Sequence, residues 1–137
     1  MALTHLVDTS VLTRLGHEAV RAVVEPLASS GSLARAGITD LEIGYSGRSA
    51  KEWDVAIEAL DAFELIETSA DHVRRARQVQ RLLAAKHQRG RKVPDLLIAA
   101  AAEANDLAVL HYDTDFDRIG AVTGQPVEWV VPSGTVD

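Results

Sequence analysis

Residues 93–119 read VPDLLIAAAAEANDLAVLHYDTDFDRI, and the order of signals within them decides the fold. Pro94 and Asp95 suit a helix start, as N1-type and N-cap-type residues, and the run 96–104 behind them is too apolar to face water. Asn105 and Asp106 then stop that helix. Residues 107–110 read as a short buried strand, and His111-Tyr112-Asp113-Thr114-Asp115-Phe116-Asp117 crowds carboxylates into the loop at its far end. A helix, a strand and an acidic loop in that order are half of a βαβ unit. Open parallel sheets hold ligands beyond the carboxyl ends of their strands, so Asp113, Asp115 and Asp117 fall where chemistry is expected, and Asp95 is placed to face the same rim.

Working back from this stretch, residues 4–7 form an apolar run ending in Asp8, with Thr9-Ser10 starting a helix. Residues 17–28 are helical, with Val20, Val23, Val24 and Leu27 on one face and Pro26 disturbing the last turns. Residues 32–36 form a second strand. Thr39 or Asp40 is then expected to cap a helix containing Leu41, Glu42, Ile43 and Tyr45, which puts Glu42 in its first turn. Across 50–63, Trp53, Ile57, Leu60 and Phe63 keep helical spacing, and 65–68 is a third strand. Ser69 caps a long basic helix, residues 70–89, with Asp71 in its first turn and Gly90 ending it. Val73, Ala76, Val79 and Leu83 form its expected buried stripe, while Arg74, Arg77 and Arg81 share another face.

Beyond residue 119 the short helix that starts at Phe116 finishes, a turn follows at Gly124-Gln125-Pro126, and residues 127–131, with Trp129, form a last strand. Residues 132–137 read as a frayed tail. Five strands alternating with helices define an α/β fold with a mainly parallel sheet flanked by helices.

A chain of 137 residues fits one domain, 1–137, and no linker or repeat divides it. Apolar residues make up 47% and aromatic residues only 4%, which suits helices packed on a sheet better than an all-β sandwich. The absence of cysteine excludes disulfide frameworks and thiolate metal sites. No basic segment followed by a long apolar run opens the chain, and no run reaches the roughly 18 apolar residues of a membrane span, so a soluble, cytoplasmic protein is expected.

The net charge of −6 is unevenly distributed. Residues 72–92 contain Arg74, Arg75, Arg77, Arg81, Lys86, Arg89, Arg91 and Lys92 with no acid among them. One basic element thus sits on an acidic body, an arrangement able to hold a polyanion beside a cation-filled pocket.

Asp8, Glu42, Asp95, Asp113 and Asp115 all fall at strand ends or helix starts that this topology can bring to one rim. Each has an ordinary explanation as a cap, a first-turn acid or a turn former. Together they are harder to explain, because two carboxylates 4 Å apart repel by about 4 kcal/mol at an effective dielectric near 20. A bound cation relieves that repulsion. Carboxylate oxygens without cysteine or a histidine pair are the donors of Mg²⁺ or Mn²⁺. Such a site suits phosphodiester hydrolysis, in which the metal supplies an activated water and steadies the leaving 3′ oxygen.

Four segments carry a resemblance. Asp8-Thr9-Ser10 after the first strand, Glu42 within Thr-Asp-Leu-Glu, Pro94-Asp95-Leu96-Leu97-Ile98-Ala99-Ala100, and Asp113-Thr114-Asp115-Phe116 after the next strand resemble the signature segments of PIN domains. Within these the chain is most similar to the VapC-type toxins of bacterial toxin-antitoxin pairs. The resemblance spans nearly the whole chain. It implies a Mg²⁺- or Mn²⁺-dependent endoribonuclease, acting on structured RNA such as tRNA or rRNA, held inactive by a VapB-type antitoxin and assembled as a homodimer. It also implies catalytic roles for Asp8, Glu42, Asp95 and Asp113 and metal binding by Asp8, Asp95, Asp113 and Asp115. The sequence departs from many relatives at His111 and in the spacing of Asp113 and Asp115, which leaves open which of the two is the primary ligand. His111 either orients a water or phosphate or is a hydrogen-bonded structural residue.

Other chemistries fit less well. A calcium loop starting at Asp113 would need Gly at Arg118 and Glu at Gly124. A phospho-receiver would need a late lysine, whereas the last one is Lys92. A dehalogenase-type phosphatase would place Asp-x-Asp where Asp8-Thr9-Ser10 stands, and no Gly-rich phosphate loop occurs. The chief alternative is a PIN-like module that binds RNA or protein without cutting. Arg74, Arg77, Arg81, Arg89, Arg91 and Lys92 are either RNA-phosphate contacts or a solvated face. The apolar residues of 41–63 are either a dimer or antitoxin groove or simply core.

Overall fold

The computed structural model describes residues 2–88 and 92–137. Five strands, β1 (His5–Val7), β2 (Leu33–Ala36), β3 (Glu64–Ile66), β4 (Ala108–His111) and β5 (Val127–Trp129), form one sheet in the order β3-β2-β1-β4-β5. Every pairing is parallel. Chain direction across the sheet reverses between β1 and β4, which opens a crevice at their carboxyl ends. Val7 stands opposite Leu110, and the Asp8 N–H donates to the Leu110 carbonyl at 2.9 Å. The residues that follow β1 and β4 therefore emerge side by side.

Alternation along the strands divides the core into two layers. Leu6 and Val109 face one side, with Leu96, Ile98, Phe116 and Ile119, while Val7 and Leu110 face the other, with Val11, Val20, Val24 and Phe63. The helices are α1 (Thr9–Leu12), α2 (Glu18–Ser29), α3 (Gly37–Gly44), α4 (Ala50–Glu58), α5 (Ala70–Ala85), α6 (Val93–Ala104) and α7 (Asp115–Thr123). In α6 the run Ala99 to Ala102 is buried throughout, and such small side chains let a helix sit close on its neighbours. Arg75, in the second turn of α5, forks onto Glu103 near the end of α6, so the two helices run antiparallel. The end of α5 thereby approaches the start of α6. Helix α2 continues through Pro26 to Ser29.

Several local expectations are corrected. Neither Thr39 nor Asp40 caps α3, which starts directly off β2 with Ala36 at the cap position. Asp40 instead binds the buried Arg35 guanidinium at 2.7 Å, Thr39 is fully buried, and Glu42 is the sixth helical residue rather than part of the first turn. The segment 50–63 splits into α4 and a 3₁₀ turn, Ala59–Ala62, with Trp53 exposed and Leu60 and Phe63 buried.

In α5 the buried stripe is His72, Ala76, Val79 and Leu83, and Val73 is exposed. The four-three-four spacing selects His72, whose Nδ1 accepts the Ser69 N–H while Ser69 accepts the His72 N–H. Helix α5 ends at Ala85, short of Gly90, because His87 turns left-handed (φ 58°) and Gln88 closes onto the Leu83 carbonyl. Gly90 itself, like Arg89 and Arg91, lies outside the described residues. Asp95 is not the cap of α6 but its third residue, with Lys92 in the cap position.

The closing residues 132–137, expected to fray, are fastened down. The Tyr112 hydroxyl donates to the Val136 carbonyl at 2.7 Å and accepts the Gly134 and Val136 N–H groups.

Candidate active site

Asp8 leaves β1 with extended backbone and caps α1, its Oδ2 accepting from the Ser10 N–H (3.0 Å) and hydroxyl (2.5 Å). The Ser10 hydroxyl also accepts the Tyr112 N–H at 2.9 Å, which ties the end of β1 to the residue after β4. Asp8 is 3% exposed, and burial raises its pKa despite the two Ser10 bonds. Thr9 reaches across to α3 and donates to Glu42 at 2.6 Å.

Asp95 is held in the first turn of α6 by the packing of Leu96, Ile98 and the alanines beneath it. It is 4% exposed, and its Oδ2 has no hydrogen-bond partner among the described residues. Burial, reinforced by the Asp8 and Asp113 carboxylates, lifts its pKa to about 7. An orphaned buried oxygen costs free energy unless something binds it. Asp113 accepts the Asp115 N–H at 2.9 Å and the Lys92 ammonium at 3.1 Å. Burial pushes Asp113 up, but those two partners outweigh it and hold the carboxyl below its ordinary value.

Asp95, Asp113 and Asp115 each bring one oxygen to within 4.8 Å of the others. Asp8, Glu42, Asp95 and Asp113 line one pocket of about 250 Å³ with Thr9, Ser10, Thr13, Arg14, Lys92 and Tyr112. The volume exceeds several water molecules, enough for a hydrated ion beside a phosphate group. All-oxygen donors, a three-carboxylate cluster and the orphaned Asp95 oxygen fit a hard divalent cation. All five acids singled out in the sequence thus gather at the β1/β4 crevice. Asp117 turns aside to accept the Trp129 indole N–H.

His111 is fully buried between the Phe116 and Trp129 rings, 5.1 and 4.9 Å away. Its Nδ1 accepts the Asp113 N–H, and burial keeps its pKa below the usual value. The neutral ring orients Asp113 from below and is not among the pocket's lining residues. Of the expected RNA-contacting cations, Arg74, Arg77 and Arg81 share a shallow groove with Gln78 on α5. Arg74 is paired with Asp71, and Lys92 sits in the acid pocket on Asp113. Arg89 and Arg91 lie outside the described residues. Thr9 and Ser10 stand in the Asp8-Thr9-Ser10 segment and Tyr112 in the acidic loop, yet the sequence assigns none of them a role and does not single out Arg14; Asp-x-Ser, a common capping pattern, is the one signal available, for Ser10.

A parallel sheet with carboxylates converging at its switch point defines a class of small α/β domains with an acidic site, and the PIN-domain profile matches residues 5–122. The chain belongs to the PIN-domain family. It is 63% identical to Ribonuclease VapC51 of Mycobacterium tuberculosis (strain ATCC 25618 / H37Rv) over 137 residues, covering all of both chains. It is 46% identical to Ribonuclease VapC21 of the same strain, covering 98% of this chain and 99% of that one. In fold it is similar to the DNA-bound VapBC from Salmonella typhimurium, with TM-score 0.79, 20% identity, and coverage of 94% and 99%.

Proposed function

We propose that this chain is a VapC-type toxin, a Mg²⁺- or Mn²⁺-dependent endoribonuclease that hydrolyses RNA phosphodiesters. The observation that carries this reading is the buried Asp95 oxygen, without a partner among the described residues and set among carboxylates from the end of β1, α3, α6 and the β4 loop. Kinship to VapC ribonucleases supports the choice of RNA. Asp95, Asp113 and Asp115, with Asp8, hold the metal. When bound, the metal supplies an activated water at neutral pH and offsets charge on the leaving oxygen. Glu42, oriented by Thr9, borders the reacting phosphate, while Ser10 keeps Asp8 aimed into the pocket. Arg74, Arg77, Arg81 and Lys92, with Arg89 and Arg91, contact RNA phosphates.

In the cell the toxin acts in the cytoplasm as a homodimer and is silenced by a VapB-type antitoxin. The naming of similar folds as VapBC complexes supports that partner, and no helix among the described residues is long and apolar enough to cross a membrane. RNA 5′ ends mapped after brief induction are expected to show a dominant cut site absent from Asp95→Asn cells. Equal patterns in the two would leave the non-cutting PIN-like module as the better reading.

A further inference from the structure

Arg14 and Lys92 are the two cations that line the acid pocket, and they are held in different ways. Lys92 is paired with Asp113. Among the described residues, Arg14 has no side-chain carboxylate partner. Its Nε donates to the Asp137 main-chain oxygen at 2.8 Å, and its Nη1 donates to the Ser10 carbonyl at 2.8 Å and the Thr13 hydroxyl at 3.4 Å. Its guanidinium carbon lies 4.8 Å from the centre of the Tyr112 ring. Nη2 makes no hydrogen bond among the described residues.

This arrangement depends on residues 132–137. The Tyr112 hydroxyl makes three hydrogen bonds to Gly134 and Val136, and His17 holds the Asp137 carboxylate at 2.5 Å. The closing segment thereby brings the Asp137 oxygen to Arg14 while Tyr112 supports the guanidinium face. A guanidinium fixed by main-chain oxygens and a hydroxyl on an aromatic ring has its rotamer freedom already restricted, and its Nη2 keeps donors for a planar anion. Beside four carboxylates, an RNA phosphate needs a cation with donors still to give; Lys92 is committed to Asp113, whereas the Arg14 Nη2 is not engaged among the described residues.

We propose that Arg14 binds an RNA phosphate at the lip of the pocket, and that Tyr112 with the 132–137 segment is the device that positions it. The inference rests on the ribonuclease reading. Arg14 is then a substrate-binding residue, and Tyr112 is a positioning residue acting through it.

Cleavage kinetics on bulk tRNA with Mg²⁺, and anisotropy of a fluorescein-labelled RNA hairpin with Ca²⁺ over a salt series, test this on full-length variants with melting curves as a folding check. Arg14→Gln is expected to raise KM about tenfold, leave kcat within about threefold, and reduce the salt slope of binding by about 0.7, one phosphate contact. Arg14→Lys should restore part of the affinity. Tyr112→Phe should raise KM about threefold with kcat kept, and adding it to Arg14→Gln should cost nothing further. Unchanged KM and slope in Arg14→Gln, or full additivity of the two changes, would overturn the proposal. If wild-type protein fails to cut RNA while Asp95→Asn behaves identically, the ribonuclease reading falls, and the hairpin salt slope still decides whether Arg14 holds phosphate.

Discussion

The Thr9 hydroxyl donates to the Glu42 carboxylate at 2.6 Å, joining the start of α1 to the second turn of α3 across 33 residues of sequence. A carboxylate on an exposed helix face would otherwise sample several rotamers. Thr9→Val is expected to lower kcat for RNA cleavage about tenfold, and Thr9→Ser to retain most of it, because only the hydroxyl is needed. Single-turnover cleavage assays on both variants distinguish the outcomes.

Asp95→Asn separates catalysis from stability. It should abolish cleavage, lowering the rate by at least about 100-fold, yet raise the melting temperature of metal-free protein at about pH 8, since it removes one of several mutually repelling buried carboxylates. Mg²⁺ should then no longer stabilise the variant. Melting curves with EDTA or Mg²⁺ provide the check.

The pH dependence of metal-free stability follows from the same residue. Asp95 has a pKa of about 7 in the folded chain, against an ordinary value of 3.8. Between those values the folded state keeps a proton that the unfolded chain has released, so stability falls as pH rises through that window. Asp8, also raised by burial, acts in the same direction, whereas Asp113, held below its ordinary value, opposes them only below about pH 4. Urea unfolding in EDTA is expected to show a loss of about 2–3 kcal/mol from about pH 5 to about pH 8 from Asp95, reversed by Mg²⁺.

Arg35 anchors the other side of the sheet. Its buried guanidinium binds Asp40 and the Leu60 and Phe63 carbonyls, fixing α3 against the chain entering β3. Arg35→Leu should destabilise by about 2–4 kcal/mol in urea unfolding, because it orphans buried acceptors along with the charge partner.

The fold was legible because its signals are local. Apolar runs closed by acids mark β1 and β4, Ser69 and Asp71 mark the start of α5, and Gly124 marks the end of α7. The gathering of acids could be anticipated because parallel topology fixes which ends share a rim. What escaped depended on three-dimensional competition. Pro94-Asp95 looks the same whether Asp95 caps a helix or is buried under neighbouring carboxylates. His72 and Val73 both satisfy loose helical spacing, and only packing chose the histidine. Arg14 carries no motif at all, since its partner oxygens lie next to it and at residue 137, and residues 132–137 read as loose because Tyr112, their anchor, is twenty or more residues away.

The basic face of α5 has its own check. Neutralising Arg77 and Arg81 together should weaken RNA binding across sequences and reduce the salt slope by about 1.4, two phosphate contacts. An unchanged slope assigns that groove to solvent.

The most direct measurement is anomalous diffraction from crystals soaked in Mn²⁺. A peak bounded by Asp95, Asp113 and Asp115, with carboxylate oxygens at about 2.1–2.2 Å and lost in Asp95→Asn, is the expected result. A clear map with no peak in that pocket, from protein that still cuts RNA, would contradict the proposed metal site.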